Sequence, residues 1–267
     1  MQYVEGIQLN TETRLADFLA AEAGVELTIV GAVHSVRNMG EIGFVILRRR
    51  EGLLQTVWEE GVTQKALSEI REGDTVRVSG IVRNEERAPH GKELHLIQVT
   101  HLSHVSGPLP LPVDKWKLNT SLEAKLERRS LSLRNIWERA PFRIQEGLAR
   151  AFREYLYEQG FTEIHTPKIG ARSAEGGANL FKLSYFHSPA VLQQSPQLYK
   201  QMMVGVFDRV FETGPVFRAE KHNTKRHLNE YTSLDLEMGY IQSFLEICQM
   251  EFLHLRIVNR IAYSHHL

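Results

Sequence analysis

FETGPVFRAEKHNTKRHLNEYTSLDLEMGY, running from Phe211 to Tyr240, decides how the second half of the chain is read. Apolar runs around Val210–Phe211 and Thr232–Tyr240 flank a polar loop that carries Lys221, Lys225, Arg226 and His227. The pattern predicts an antiparallel hairpin with a long cationic loop. A strand ending in Arg218-Ala219-Glu220 and returning through Tyr231 would gather a guanidinium, a carboxylate, a basic loop and an aromatic ring around one cleft. That set suits a nucleoside triphosphate, because arginine forks match phosphate oxygens bidentately and a ring can stack on adenine. Composition alone reads the same stretch as a solvated surface hairpin, so the neighbouring segments must arbitrate.

Working outward from the hairpin, the 267 residues are 42% hydrophobic and 24% charged, as expected for a globular protein with two domains. Lysine plus arginine and aspartate plus glutamate balance at 32 each, so nucleic-acid binding must come from local patches. The single cysteine, Cys248, excludes an intrachain disulfide framework and a multi-cysteine zinc site, and is expected as a small buried hydrophobe on a helix. The first residues, MQYVEGIQLN, lack the charge and apolar pattern of a signal peptide, and no run reaches the roughly 18 apolar residues of a membrane span. A cytoplasmic protein with no membrane partner is expected.

Residues 1–105 read as an all-β domain. ELTIVGAVHSV, IGFVILRR, LLQTVWEE, DTVRVSGIVRN and ELHLIQVTHLSHV are strand-like, and turn chemistry separates them. Residues 63–72 break the rhythm with Ala66, Leu67 and Ile70 at helical spacing. Five strands with a short helix after the third is the pattern of an OB-fold, a small barrel that binds oligonucleotides on one face. Gly31 and Gly80 are expected where the barrel bends. Arg37, Arg48, Arg49, Arg50 and Arg83 supply positive charge, and Phe44, Gln55 and Trp58 are the candidates for stacking and base-edge contacts. For Phe44 a core position reads equally well.

The stretch SGPLPLPVDKWKLN opens a connector, residues 106–120, in which Pro108, Pro110 and Pro112 forbid helix. Residues 121–267 form the second domain. A helix is predicted from Pro141 to Gly160, with Ile144, Leu148, Phe152, Tyr155 and Leu156 on one stripe. A strand over 161–169 interrupted by Pro167, a loop over 173–178 carrying Glu175, and a last helix over 244–261 complete the reading. Leu245, Cys248, Phe252, Leu255 and Val258 would form the stripe of that last helix.

Two segments now carry a resemblance. The helix followed by GFTEIHTP is similar to motif 1 of the class II aminoacyl-tRNA synthetases, and the opening stretch is similar to their motif 2. An OB-fold ahead of such a core resembles the aspartyl, asparaginyl and lysyl subgroup. QQSPQLYKQ, residues 193–201, with RHLNEYTSLDLEM resembles aspartyl-tRNA synthetases of the archaeal and eukaryotic type most closely. The fold implied is α+β: an OB-fold barrel followed by part of a class II antiparallel-sheet catalytic core.

The resemblance implies an enzyme that uses ATP and Mg2+ to activate L-aspartate and passes the aspartyl group to tRNA-Asp, with tRNA-Asn left open. Arg218 would hold the α-phosphate and the activated carboxylate as the catalytic group. Glu220, Arg226, His227, Leu228 and Tyr231 would bind the rest of ATP. Lys200 would neutralise the β-carboxylate of aspartate, with Glu175, Gln197 and Asp235 on its amino end. In the barrel, Arg37, Phe44 and Gln55 would meet the anticodon, and Ala32 and the loop 86–91 would govern its third base. Pro167 would lie in a homodimer interface.

Three features depart from the family's pattern. The glycine-rich third motif, with its adenine-clamping arginine and the main acidic magnesium ligand, is absent, since the last glycine is Gly239. An incomplete form of the enzyme is therefore expected, with no metal ligands inside this chain. MMVGVFDRV is one residue shorter than usual, and Ser132 replaces a frequent aspartate. A non-catalytic paralogue that binds tRNA or nucleotide and an asparagine–tRNA ligase are the competing readings.

Overall fold

The period-2 alternation of the first half closes into a barrel. The computed structural model describes residues 13–173, 179–222, 224 and 227–250. It divides into two compact units, Met1–Arg139 and Ala140–Leu267. After a short helix α1 (Leu15–Ala20), strands β1 (Glu26–Asn38), β2 (Ile42–Arg48), β3 (Leu53–Glu59), β4 (Thr75–Asn84) and β5 (Lys92–Ser103) form a closed barrel in the order β1-β2-β3-β5-β4. Closure depends on a parallel pairing of β3 with β5, Thr56 opposite Leu94 and Val57 opposite His95. It leaves no open edge.

Inward positions fill the barrel: Ile29 and Val33, Val45 and Leu47, Leu54, Val76 and Val78, Leu94 and Leu96 are all buried in one core with Phe18 of α1. The short helix expected over residues 63–72 is a single 3-10 turn, Leu67–Glu69, and its Leu67 and Ile70 cap this core. At Gly80, where the β4–β5 register shifts, a Cβ would collide with the His95 carbonyl, so the bend requires glycine.

The connector packs within the first unit through buried Leu111, Val113 and Leu118. Helices α2 (Leu122–Glu127) and α3 (Arg129–Ser132) follow, and buried Asn135 donates to the carbonyls of Val113 and Lys115. The side-chain oxygen of Asn135 accepts from the N–H groups of Trp137 (3.0 Å) and Glu138 (3.2 Å), starting helix α4 (Ile136–Glu158) five residues before Pro141. The predicted start at proline is therefore corrected: a buried asparagine caps the helix, and the proline lies within its second turn.

In the second unit the α4 stripe is buried only at its C-terminal end. Phe152, Tyr155 and Leu156 join Phe161, Phe211, Met238 and Met250 in a core, whereas Ile144 is exposed. The segment around Pro167 is two strands, not one. β6 (Thr162–Glu163) pairs in parallel with β10 (Arg209–Phe217), whereas β7 (Ile169–Gly170) belongs to a sheet with β8 (Lys182–Tyr185) and β9 (Ser188–Leu192). Helix α5 (Gln197–Phe207) leads into β10, which pairs antiparallel with β11 (Glu230–Met238) from Arg209↔Met238 to Phe217↔Glu230. The hairpin is thus as predicted, in a sheet of mixed direction because β6 is parallel. Residues 244–250 are helical, but Ile247 and Met250 form the inward face and Cys248 is exposed. The expected burial of Cys248 fails because the Tyr155 hydroxyl and its neighbours receive Met250, two residues further along the helix. Phe252, Leu255 and Val258 lie outside the described residues.

Candidate functional site

Register places a chemically dense face on the hairpin. Leu236 and Met238 of β11 turn toward the Phe211 core, so Tyr231, Ser233, Asp235 and Glu237 share the opposite face. Cross-strand partners lie on the same face: Glu212 is opposite Asp235, Gly214 opposite Ser233 and Val216 opposite Tyr231. Arg218 continues that parity, and its N–H donates to the Asn229 carbonyl at 2.9 Å, extending the pairing past the strand end.

Helix α5 lays Lys200 against this face. Lys200 is 5% exposed, and its Nζ stands 3.0 Å from Asp235 Oδ1, 3.6 Å from Glu237 Oε2 and 3.4 Å from the Leu236 carbonyl. Burying an ammonium is tolerable only with such partners. The Ser233 hydroxyl donates to the other oxygen of Asp235, holding that carboxylate in place. Gln197 begins α5 one turn before Lys200 and is half-buried. Beside them Glu212, 3% exposed, accepts from the N–H (2.9 Å) and hydroxyl (2.7 Å) of Thr166 and pairs with Lys168 Nζ at 2.9 Å. The residue reading missed this second ion pair. A carboxylate inside the apolar start of a strand was its signal, since such a group must be paired to be buried.

Around the hairpin loop, Glu220 and Tyr231 are half-buried, and Leu228 is exposed. His227 is exposed, with Nδ1 2.6 Å from the Thr224 hydroxyl and its ring 5.7 Å from that of His222. Glu175, Lys225 and Arg226 lie outside the described residues. Pro167 is exposed between β6 and β7.

The barrel's outer face has different chemistry. Phe44 and Ile46 of β2, Gln55 and Val57 of β3, and Glu93 and His95 of β5 face away from the core. Arg37 is opposite Phe44, and Phe44 is opposite Val57. Gln55 Nε2 donates to Glu93 Oε2 at 3.0 Å, and His95 Nε2 lies 2.8 Å from Glu93 Oε1. Phe44 is half-buried and therefore on the surface, not in the core. Trp58 is corrected: its ring belongs to the barrel core and its Nε1 donates to the Lys65 carbonyl at 2.7 Å. Arg49 is also structural, with Nη1 donating to the carbonyls of Thr13 (2.9 Å) and Val30 (3.0 Å). The polar residue missed on this face is Glu93, whose place beside Gln55 follows from the β3–β5 pairing.

Comparisons agree with both halves of this description. Residues 27–102 match the family described as OB-fold nucleic acid binding domain, and residues 121–265 match tRNA synthetases class II (D, K and N). The chain is 44% identical over 235 residues to an aspartate–tRNA(Asp/Asn) ligase of Thermus thermophilus, covering 87% of this chain and 54% of that protein. A ligase of the same name from Methanocaldococcus jannaschii is 44% identical over 231 residues, covering 84% and 52%. Among solved structures, asparaginyl-tRNA synthetase from Pyrococcus horikoshii in complex with asparaginyl-adenylate superposes with a TM-score of 0.83 at 29% identity, covering 96% of this chain and 59% of that one. Aspartyl tRNA synthetase from Entamoeba histolytica gives 0.71 at 29% identity, covering 93% and 54%. The chain spans about half the length of the curated relatives it matches.

Proposed function

The chain belongs to the class II tRNA synthetases of the D, K and N group, and on that premise we propose that it is part of an aspartate–tRNA ligase. The reaction would be ATP-dependent activation of L-aspartate to aspartyl-adenylate, followed by transfer to tRNA-Asp and tRNA-Asn, the two tRNAs in the names of the curated relatives. In this reading residues 1–105 bind the anticodon, 106–120 connect, and 121–267 supply the motif 1 and motif 2 part of the catalytic core.

The observation that carries the reading is Lys200, a buried ammonium on the motif 2 face beside Asp235 and Glu237. Its three donors include one long contact, 3.4 Å to the Leu236 carbonyl, which a substrate β-carboxylate would replace. Asparagine would offer a neutral amide oxygen there and exchange a charge-assisted contact for a weaker one, at a cost of about 1–3 kcal/mol. Asp235, already oriented by Ser233, and Gln197 on the preceding turn of α5 would take the substrate's amino end. Glu175 is assigned to the same end from the resemblance.

Arg218 would oppose the negative charge that develops at the α-phosphate as the carboxylate attacks. Tyr231 would stack on adenine, Glu220 would accept from its amino group, and Arg226, His227 and Leu228 would cover the outer phosphates. Mg2+ would accompany ATP. In the barrel, Phe44 would stack on a base while Gln55, fixed by Glu93, reads a base edge and Arg37 meets the backbone. Exposed Phe142, Ile144 and Pro167 support a C2 homodimer that covers them. A cytoplasmic location is part of the proposal, and no helix among the described residues is long and apolar enough to cross a membrane.

The test is ATP–pyrophosphate exchange with each amino acid, on this chain and on any longer form. Exchange driven by aspartate alone is the expected result for the form that carries a third motif. Exchange driven by asparagine would overturn the role given to Lys200, and a tRNA-binding chain without exchange in any form would favour the non-catalytic reading.

A further inference from the structure

One cluster in the barrel takes no part in the function above. Asp74, in the turn before β4, is fully buried, and Oδ1 accepts from the N–H of Val105 at 2.9 Å while Oδ2 accepts from that of Arg71 at 3.0 Å. An ionised carboxylate offers about four lone pairs, so two remain.

Two imidazoles converge on the free side. In an unbroken strand residues 101 and 104 would point to opposite faces, but β5 ends at Ser103 and the turn brings His104 over His101. The rings stack with centroids 3.9 Å and planes 22° apart, so bringing both in-plane nitrogen lone pairs onto one ion requires the exposed His104 ring to turn. His101 Nε2 lies 3.2 Å and His104 Nδ1 lies 3.6 Å from Asp74 Oδ2, and the three ligand atoms fall within 4.8 Å of one another. The His101 side chain is only 7% exposed, and its Nε2 has no hydrogen-bond partner beyond the neighbouring Asp74 carboxylate. A buried imidazole nitrogen and a carboxylate oxygen thus stand side by side, an arrangement that a proton or a metal ion can bridge.

We infer that Asp74, His101 and His104 form a binding site for one zinc ion. Zinc–nitrogen and zinc–oxygen bonds of 2.0–2.2 Å in a tetrahedron separate neighbouring ligand atoms by about 3.3 Å, close to the two spacings seen at Oδ2. Two imidazoles and one carboxylate suit zinc, whereas magnesium and calcium prefer all-oxygen sets. Lys65 is paired with Glu69 at 2.9 Å. Water would take the fourth position. The ion would tie the exit of β5 to the turn before β4, the point where Val105 already hangs on Asp74, and so pin the start of the connector.

The chain has 12 histidines, so the site must be located by substitution. After EDTA treatment and desalting, the full 267-residue chain is titrated with zinc against a chromophoric chelator, and with cobalt while its visible absorption is followed. The wild type should bind one ion per chain at this site, with a tetrahedral cobalt band and a rise in melting temperature that magnesium does not produce. His104→Ala, whose ring is mostly exposed and contributes little to packing, should weaken zinc at least tenfold and abolish the cobalt band while melting normally without metal. His101→Ala should likewise weaken zinc and abolish the cobalt band. Absence of zinc binding in the wild type, or affinity changed less than tenfold by His104→Ala, overturns the assignment.

Discussion

The outer face of the barrel and the hairpin face of the second unit are both polar surfaces built on antiparallel strands, yet their electrostatics differ. On the barrel, one carboxylate, Glu93, is shared by a neutral amide and an imidazole beside the half-buried Phe44. On the hairpin, a buried ammonium faces two carboxylates while a second lysine–glutamate pair sits next to it. The first arrangement can discriminate the edges and faces of uncharged bases without moving charge. The second has charge density suited to groups that carry or develop charge, and its pairs are expensive to disrupt because they are dry. Under the proposed function the difference separates a surface suited to reading bases from one suited to charged reactants.

Lys200→Met is the severest way to break this contrast. It leaves Asp235 and Glu237 facing each other without a counter-ion, and about 3 kcal/mol of stability should be lost in urea unfolding. Aspartate-dependent pyrophosphate exchange, in whichever form supports it, should fall at least a hundredfold, with tRNA affinity unchanged. A folded variant with undiminished exchange would show that the buried ammonium is only structural.

Phe44→Ala tests the other face. Removing one stacking platform should cost roughly 1–3 kcal/mol of tRNA affinity, about tenfold or more, while ATP affinity stays as it was. Equal tRNA affinity in the variant would make the barrel face a plain surface and remove the contrast.

The smallest effect sharpens the comparison through acid sensitivity. His34 of β1 is buried with Nδ1 lacking a hydrogen-bond partner, and burial first, then the Arg48 guanidinium, holds its pKa below the ordinary 6.5, with Arg139 adding to Arg48 and Asp114 opposing them. The folded state therefore binds this proton less readily than the unfolded chain. Stability from this group is complete above pH 6.5 and is lost as pH falls from there toward the depressed folded value. In EDTA, melting temperature should decline from pH 7.5 to 5.5 in the wild type and decline less steeply in His34→Asn. Equal slopes would assign the acid sensitivity to other groups.

Much of this was legible before any coordinates. Alternation in ELTIVGAVHSV and its neighbours was enough for a five-stranded barrel, whereas Phe44 read equally well as core or platform until the register of β2 turned it outward. The hairpin strands followed from the apolar runs that flank the cationic loop. Misreadings arose where a local pattern had two solutions. Trp58 carries a polar tip, so it suits either a core or a platform, and a carbonyl at Lys65 decided for the core. Pro141 reads as a helix start, but Asn135, tied to the connector, began the helix earlier. Cys248 and Met250 are two residues apart on one helix, and only the pocket beside Tyr155 chose between them.

By itself the sequence determined the five barrel strands, the two hairpin strands and the kinds of chemistry present, because these depend on periodicity and composition over a few neighbouring residues. Tertiary structure alone decided which charges are buried together. Lys200 and Asp235 are 35 positions apart, Gln55 and Glu93 are 38, and Asp74 lies 27 before His101. Each pairing rests on strand register or on a helix packed across a sheet, and a slip of one residue in any of them would turn the partner to the opposite face.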